Sequence, residues 1–331
     1  MKKTAILLLA FGLVLSAFPT TPPRATVPAP AVTPAPLLQT PSQLDGTISI
    51  SGAWALYPMV LKWAEEFNKL HPKVTIDVQA GGAGKGMADV LAGMADLGMV
   101  SRDIYPEETA KGALDFAVTK DGVVATLSTR NPYLAEILKK GIARRRLIDI
   151  WTGDKAVTWG QVLGTSLAQP VRVFTRSDAC GAGETWAAYF GKKQEDLGGI
   201  GVYGDPGVAD AVRREPLGIG FNNINFAYDS KTLKPVDGLV IAPIDLDGNG
   251  RIDDAERVYA TRDGITAAIA ANIYPSPPAR DLYIVAKGKP ANKAVVEFLR
   301  WVLTDGQKYV PETGYIRLAP DKLNLALDKL K

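Results

Sequence analysis

The stretch DLDGNGRIDDAE (245–256) sets oxygen-bearing residues at a spacing suited to a hard cation. Asp245, Asp247, Asn249, Arg251, Asp253 and Glu256 stand at positions 1, 3, 5, 7, 9 and 12 of a calcium loop, Arg251 through its main-chain carbonyl. Gly250 takes the sharp turn at position 6 and Ile252 the apolar position 8. The plain alternative is a solvated acidic turn. An apolar strand, not a helix, precedes the loop. The expectation is therefore one structural Ca2+ site rather than a paired calcium sensor.

A second chemistry is anion capture by the main chain. TRSDACGAGETW (175–186) reads as a strand end, a loop of small residues and a first helical turn. Such junctions aim N–H groups at an anion, each exposed helix start contributing about 0.3–1 kcal/mol. SGAWALYP (51–58), AGGAGKGM (80–87) and ADLGMVSRDI (95–104) have the same form. In open α/β sheets ligands sit beyond the carboxyl ends of strands, so four such junctions can share one cleft. Taken singly, each could equally be a tight turn that glycine permits.

Other chemistries fail on spacing. AGGAGKGM is not a phosphate-binding loop of nucleotide hydrolases, because Gln79 and Gly86 stand where that pattern needs Gly and Ser or Thr. Cys180 and His71 are each the sole residue of their kind. His71 precedes Pro72 at a helix end and is expected in solvent, while Cys180 is expected to pack as a small apolar group in a cleft wall. No nucleophile with an oriented base is visible, so the chain does not read as an enzyme.

The elements that must position these groups alternate. Strands are expected at 47–51, 74–80 and 95–101, with helices at 57–71 and 86–94 between them. That order predicts a parallel sheet covered by helices. Further on, 116–129 reads as one long or two short strands, and 171–176, 217–228, 239–244 and 281–288 as strands. Helices are expected at the start of 136–153, after 176, at 206–216 and at 294–310. Arg144–Arg146 falls in what reads as a turn-rich connection, a solvated charge run.

Composition narrows the class. The 331 residues are 47% hydrophobic and 22% charged, with 38 basic against 35 acidic side chains. A balance so near neutral excludes a nucleic-acid binder, which needs a clustered basic excess. Residues 1–18 carry Lys2 and Lys3 before an apolar run too short to span a bilayer, the form of a signal peptide. Residues 19–46 are rich in Pro, Ala and Thr and read as an extended tether. With one cysteine, no internal disulfide is possible.

Six motifs occur together and in order: SGAWALYP, AGGAGKGM, GMVSRD, IDIWTGDKAVTWGQVLG, TRSDACGAGETW and YPSPPARDLYIVAKG. From about residue 47 to 318 the chain resembles the substrate-binding proteins of phosphate ABC transporters. The resemblance implies a two-lobed α/β fold of the type 2 periplasmic-binding-protein kind, with solute desolvated between the lobes. Lobe 1 would take 47–120 plus 278–331 and lobe 2 would take 121–277. Ala53, Trp54, Ala55, Ala83, Gly84, Lys85, Ser101, Arg102, Arg176, Cys180, Gly181 and Ala182 fall on the family's ligand loops.

The match is partial at those loops. Ala53, Trp54 and Ala55 stand where the family has a hydroxyl, Ala83 replaces a Ser, and Cys180 and Ala182 replace Ser and Thr. Arg176, Gly181, Ser101 and Arg102 agree, and Asp103 lies near the family's acidic position. A hydrogen bond to a charged group is worth about 1.5–3 kcal/mol, so losing even three of these would cost about 5–9 kcal/mol. Micromolar binding is only about 8 kcal/mol in all. The expected function is an extracytoplasmic, monomeric solute-binding protein that captures phosphate or a like oxyanion and hands it to a membrane permease. Alternatives are the same fold holding another oxyanion or a small organic acid, and a calcium-stabilised surface protein with a degenerate cleft.

Overall fold

A computed structural model describes residues 44–331. The expected signal peptide and the tether up to residue 43 lie outside the described residues. Folding starts slightly earlier than the sequence suggests, because the first strand already includes Asp45 and Gly46.

In chain order the first elements are β1 (Asp45–Gly52), α1 (Tyr57–Leu70), β2 (Lys73–Ala80), α2 (Ala83–Ala92), β3 (Leu97–Val100), α3 (Pro106–Ala110) and β4 (Ala113–Ser128). Next come α4 (Leu134–Lys140), β5 (Ile142–Ala143), α5 (Arg144–Thr152), α6 (Trp159–Leu163), β6 (Arg172–Arg176), α7 (Gly181–Tyr189), β7 (Ile200–Val202) and α8 (Gly204–Arg214). The chain ends through β8 (Gly218–Asn223), α9 (Ile224–Ala227), β9 (Leu239–Ile241), β10 (Ile244–Asp245), α10 (Arg262–Ala270), β11 (Ala279–Lys287), α11 (Lys293–Leu303) and α12 (Pro320–Asp328).

The main sheet runs β2-β1-β3-β11-β4-β8-β6-β7, with β9 also on β4. β1 pairs in parallel with β2 and β3, as the βαβαβ pattern requires. β11 returns antiparallel to β3 and β4. β4 is a single strand of 16 residues. Its first part, Ala113 to Gly122, pairs with β11, and Val123 to Leu127 then pairs with β8.

Two hydrophobic cores flank that handover. Ile48, Trp63, Phe67, Val118, Leu282, Phe298 and their neighbours form the first; Val123, Trp151, Trp186, Phe221, Ile265 and Ala279 belong to the second. Helix α11 shows how the sequence builds the first: Val295, Phe298, Leu299 and Val302 recur at helical spacing, and all are buried. Each such side chain contributes about 1.5–3 kcal/mol on burial. Trp63 also satisfies its indole, whose N–H donates to the Gly306 carbonyl at 2.8 Å. The architecture is the mixed α/β, two-lobed arrangement expected.

Several local expectations change. The segment 217–228 is a strand only to Asn223, after which Ile224–Ala227 turns as a short helix. The expected strand 239–244 divides into β9 and β10, the latter pairing with β5. Arg144, Arg145 and Arg146 are not on a connection; they form the first turn of α5. Arg144 donates from Nε to the Tyr189 carbonyl at 2.8 Å and lies over that ring, while Arg144 and Arg145 stay exposed as expected of a solvated run. No helix among the described residues is long and apolar enough to cross a membrane.

Candidate functional site

The strand-to-helix junctions of the first core end at Gly52, Gly81–Gly84 and Ser101, and that of the second at Asp178–Gly181. They meet along one seam. The Gly84 N–H donates to the Ala179 carbonyl at 3.2 Å, across from one lobe to the other. Gly181 lies flat on Ser101: a Cβ there would stand 2.1 Å from the Ser101 carbonyl oxygen and 2.3 Å from its hydroxyl. Only glycine permits that approach. At the same seam, Gly81 and Gly82 donate to the Gly52 carbonyl and Ala53 donates to that of Met99, tying the first-core loops together.

The junction after β6 is held firmly. Arg176 is buried; its Nε donates to Asp178 Oδ1 at 2.7 Å, Nη2 to Asp178 Oδ2 at 2.5 Å and Nη1 to Asp205 Oδ2 at 2.5 Å. Burial alone would lower its pKa, but Asp205 and Asp178 outweigh burial and hold it above the ordinary value. Asp178 Oδ1 also accepts the Gly204 N–H at 3.1 Å, at the start of α8. Gln194 clamps the loop, accepting from the Cys180 N–H at 3.0 Å and donating to the Asp178 carbonyl at 2.7 Å.

Cys180 packs in the second core as expected, and it has a further role. Its sulfur is the N-cap of α7, accepting the Gly183 N–H at 3.3 Å, where a hydroxyl would ordinarily serve. Burial pushes its thiol up to about 12, so it stays protonated and is no nucleophile. His71 caps α1 and lies tilted against Phe67, ring centroids 4.5 Å apart, and is only partly exposed.

The remaining expected residues divide. Trp54 reaches over the seam: its ring makes edge contacts with Tyr57, Tyr203 and Phe226 and covers Gly204, whose φ of +72° and proximity to the indole suit only glycine. Its indole N–H is buried without an acceptor. Ala83 is wholly buried at the start of α2, and Ala182 is buried in the first turn of α7. Ala55 turns inward, its carbonyl accepting from the Tyr315 hydroxyl at 2.6 Å. Lys85 leans along its own helix to Asp89. Arg102 forks onto Glu108, at 2.9 and 2.7 Å, and its guanidinium lies over the Tyr105 ring. Arg102, with Lys120, Glu184 and Arg280, borders a cavity of about 490 Å³ beside the seam. Asp103, also on that cavity, is exposed.

Arg102 and Arg176 are thus matched internally by carboxylates. The Gly84 and Gly183 N–H groups are already taken, by the Ala179 carbonyl and the Cys180 sulfur; what the seam leaves to an anion is the remaining first-turn N–H groups of α2 and α7, with Ser101 beside them. Asp178, Asp205, Asn223, Gln194 and Glu108 support this site, and the sequence reading did not select them. Asp178 lies two residues after Arg176 and Glu108 six after Arg102; Gln194, Asp205 and Asn223 arrive from more distant segments.

A PBP superfamily domain model matches residues 39–306. The chain belongs to this superfamily. The phosphate-binding protein PstS of Bacillus subtilis is 31% identical over 200 residues, 59% of this chain and 63% of that protein. Its namesake in Staphylococcus epidermidis is 26% identical over 296 residues, covering 87% of this chain and 84% of that one. Among solved structures, a phosphate ABC transporter substrate-binding protein with bound phosphate from Clostridium perfringens superposes with a TM-score of 0.67. It is 22% identical, with 83% of this chain and 100% of that chain covered. These likenesses bear out the fold and the family resemblance read from the six motifs.

Proposed function

We propose that the protein is an extracytoplasmic solute-binding component of an ABC importer, capturing phosphate or a like oxyanion between its lobes. The observation that carries this reading is the seam itself, where loops of both lobes meet at Gly84–Ala179 and Ser101–Gly181. The PBP superfamily match and the phosphate-binding relatives support this solute class, and a membrane permease would be the receiving partner. The protein acts as a monomer and does no chemistry on its cargo, in keeping with the protonated Cys180. Binding is by main-chain amides closed around the solute as the two strands between the cores flex. The test is isothermal titration of inorganic phosphate, sulfate and molybdate into protein refolded free of solute. Saturable binding of an oxyanion supports the reading; none by any of the three overturns it.

We further propose a structural Ca2+ at residues 245–256. Carboxylate oxygens of Asp245, Asp247 and Glu256 lie within 4.8 Å of one another. The loop wraps as a cation cradle would: Asp245 Oδ1 accepts from Gly248 and Asn249, Oδ2 from Gly250, and Glu256 accepts from Leu246 and Asp253. The Asn249 amide nitrogen faces Asp247 and Asp253, so its oxygen would have to turn inward to join the set. Arg251 would supply its carbonyl and Asp253 a water-mediated contact. A rise in melting temperature with Ca2+, lost in Asp245→Asn, is expected; an unchanged melting curve sinks the site.

A further inference from the structure

Arg280 lies on β11 directly opposite Asp121 on β4, at the handover between the two cores. Its side chain is buried, with Nε 3.2 Å from Asp121 Oδ1. An arginine that served only to offset Asp121 would need no further partner. This one has two, and both lead to the seam. Nη1 donates to the Gly181 carbonyl at 2.9 Å, and Nη2 donates to Asn223 Oδ1. Asn223 Nδ2 in turn donates to Asp205 Oδ2 at 2.7 Å, and Asp205 Oδ2 accepts Arg176 Nη1.

We propose that Arg280 is the positioning residue of the solute site, setting from the inter-core strands the direction of the α7 amides and of the Arg176 side chain. The inference rests on the solute-binding reading above. The peptide unit is planar and trans, so a clamped Gly181 carbonyl fixes the Ala182 N–H on the opposite side of the same plane. Gly181 is also the residue that touches Ser101 of the other lobe. Bending of β4 and β11 therefore moves the anion-facing amides and the lobe contact together. Arginine suits this post because its planar fork reaches the Gly181 carbonyl and Asn223 at fixed angles with Asp121 alongside, which a lysine ammonium on a flexible stem does not.

The test compares wild type with Arg280→Lys, which keeps a positive charge beside Asp121. Hydrogen exchange across residues 177–184 is expected to quicken at least tenfold with the melting temperature nearly unchanged. Affinity for inorganic phosphate, read by titration calorimetry, is expected to fall at least tenfold. Should Arg280→Lys fail to fold, the pair Asp121→Asn with Arg280→Gln, which leaves no buried charge there, is read in the same way. Unchanged exchange in 177–184, or faster exchange with undiminished phosphate affinity, overturns the proposal. Faster exchange in a protein whose wild type ignores phosphate leaves Arg280 as the positioning residue of α7 and removes the solute reading instead.

Discussion

Gly84 and Ala179, from opposite lobes, share a main-chain hydrogen bond of 3.2 Å, and the Ala179 methyl lies 2.9 Å from where a Cβ on Gly84 would stand. Gly84→Ala therefore separates closure from stability. Within α2 the change favours helix by up to about 1 kcal/mol, while the added methyl props the seam open. Solute affinity is expected to drop at least tenfold with an equal or higher melting temperature. Scattering should show a larger radius of gyration in the presence of solute than wild type shows.

The buried Asp205 accepts from Arg176 and from both nitrogens of Asn223. Removing one partner of a buried pair leaves the other charge uncompensated, at a cost of about 3–5 kcal/mol. Asp205→Ala should lose that much in urea unfolding. Asp205→Asn, which keeps an acceptor oxygen, should lose less.

Asp121 gives a pH signature. Burial, reinforced by Asp205 and opposed by Arg280, pushes its carboxyl from 3.8 up to about 7. The folded chain thus holds a proton that the unfolded chain has already released between those values. This contribution to stability is full below about pH 4 and is lost as pH rises through 7, on the order of 2–4 kcal/mol. Asp121→Asn should flatten the profile over that window in denaturant titrations. A parallel slope in both proteins would contradict the assignment.

Cys180 is 4% exposed. Native protein should resist thiol reagents and react fully once unfolded. Cys180→Ser restores a hydroxyl at the head of α7 and retains a cap. Stability should stay within about 1 kcal/mol. Oxyanion affinity should tighten by about tenfold, in line with one hydrogen bond to a charged group.

Periodicity and glycine placement made the strand–helix alternation and the four junctions legible, because those signals are local. The same signals misread Ile224–Ala227, where an apolar run continues a strand in pattern while Asn223 turns the chain. Partners were the larger gap. Arg176 and Arg102 fall on the ligand loops by motif, but their carboxylate partners do not show in it: Asp205 lies 29 residues from the first and Glu108 six from the second, and folding brings them together. Trp54 likewise stood out as a missing hydroxyl. That it spans the seam to Tyr203 and Phe226 depends on contacts between elements far apart in the chain.

β4 remains one ribbon of 16 residues from the first core into the second, partnered along its length except for a register shift at Val118, opposite Leu282 and Tyr283. Opening and shutting cannot then be a swivel at a slack joint. The motion must be a wringing of a hydrogen-bonded band, shared among several peptide units and elastically restored, so the resting gape of the jaws is a mechanical property of that band.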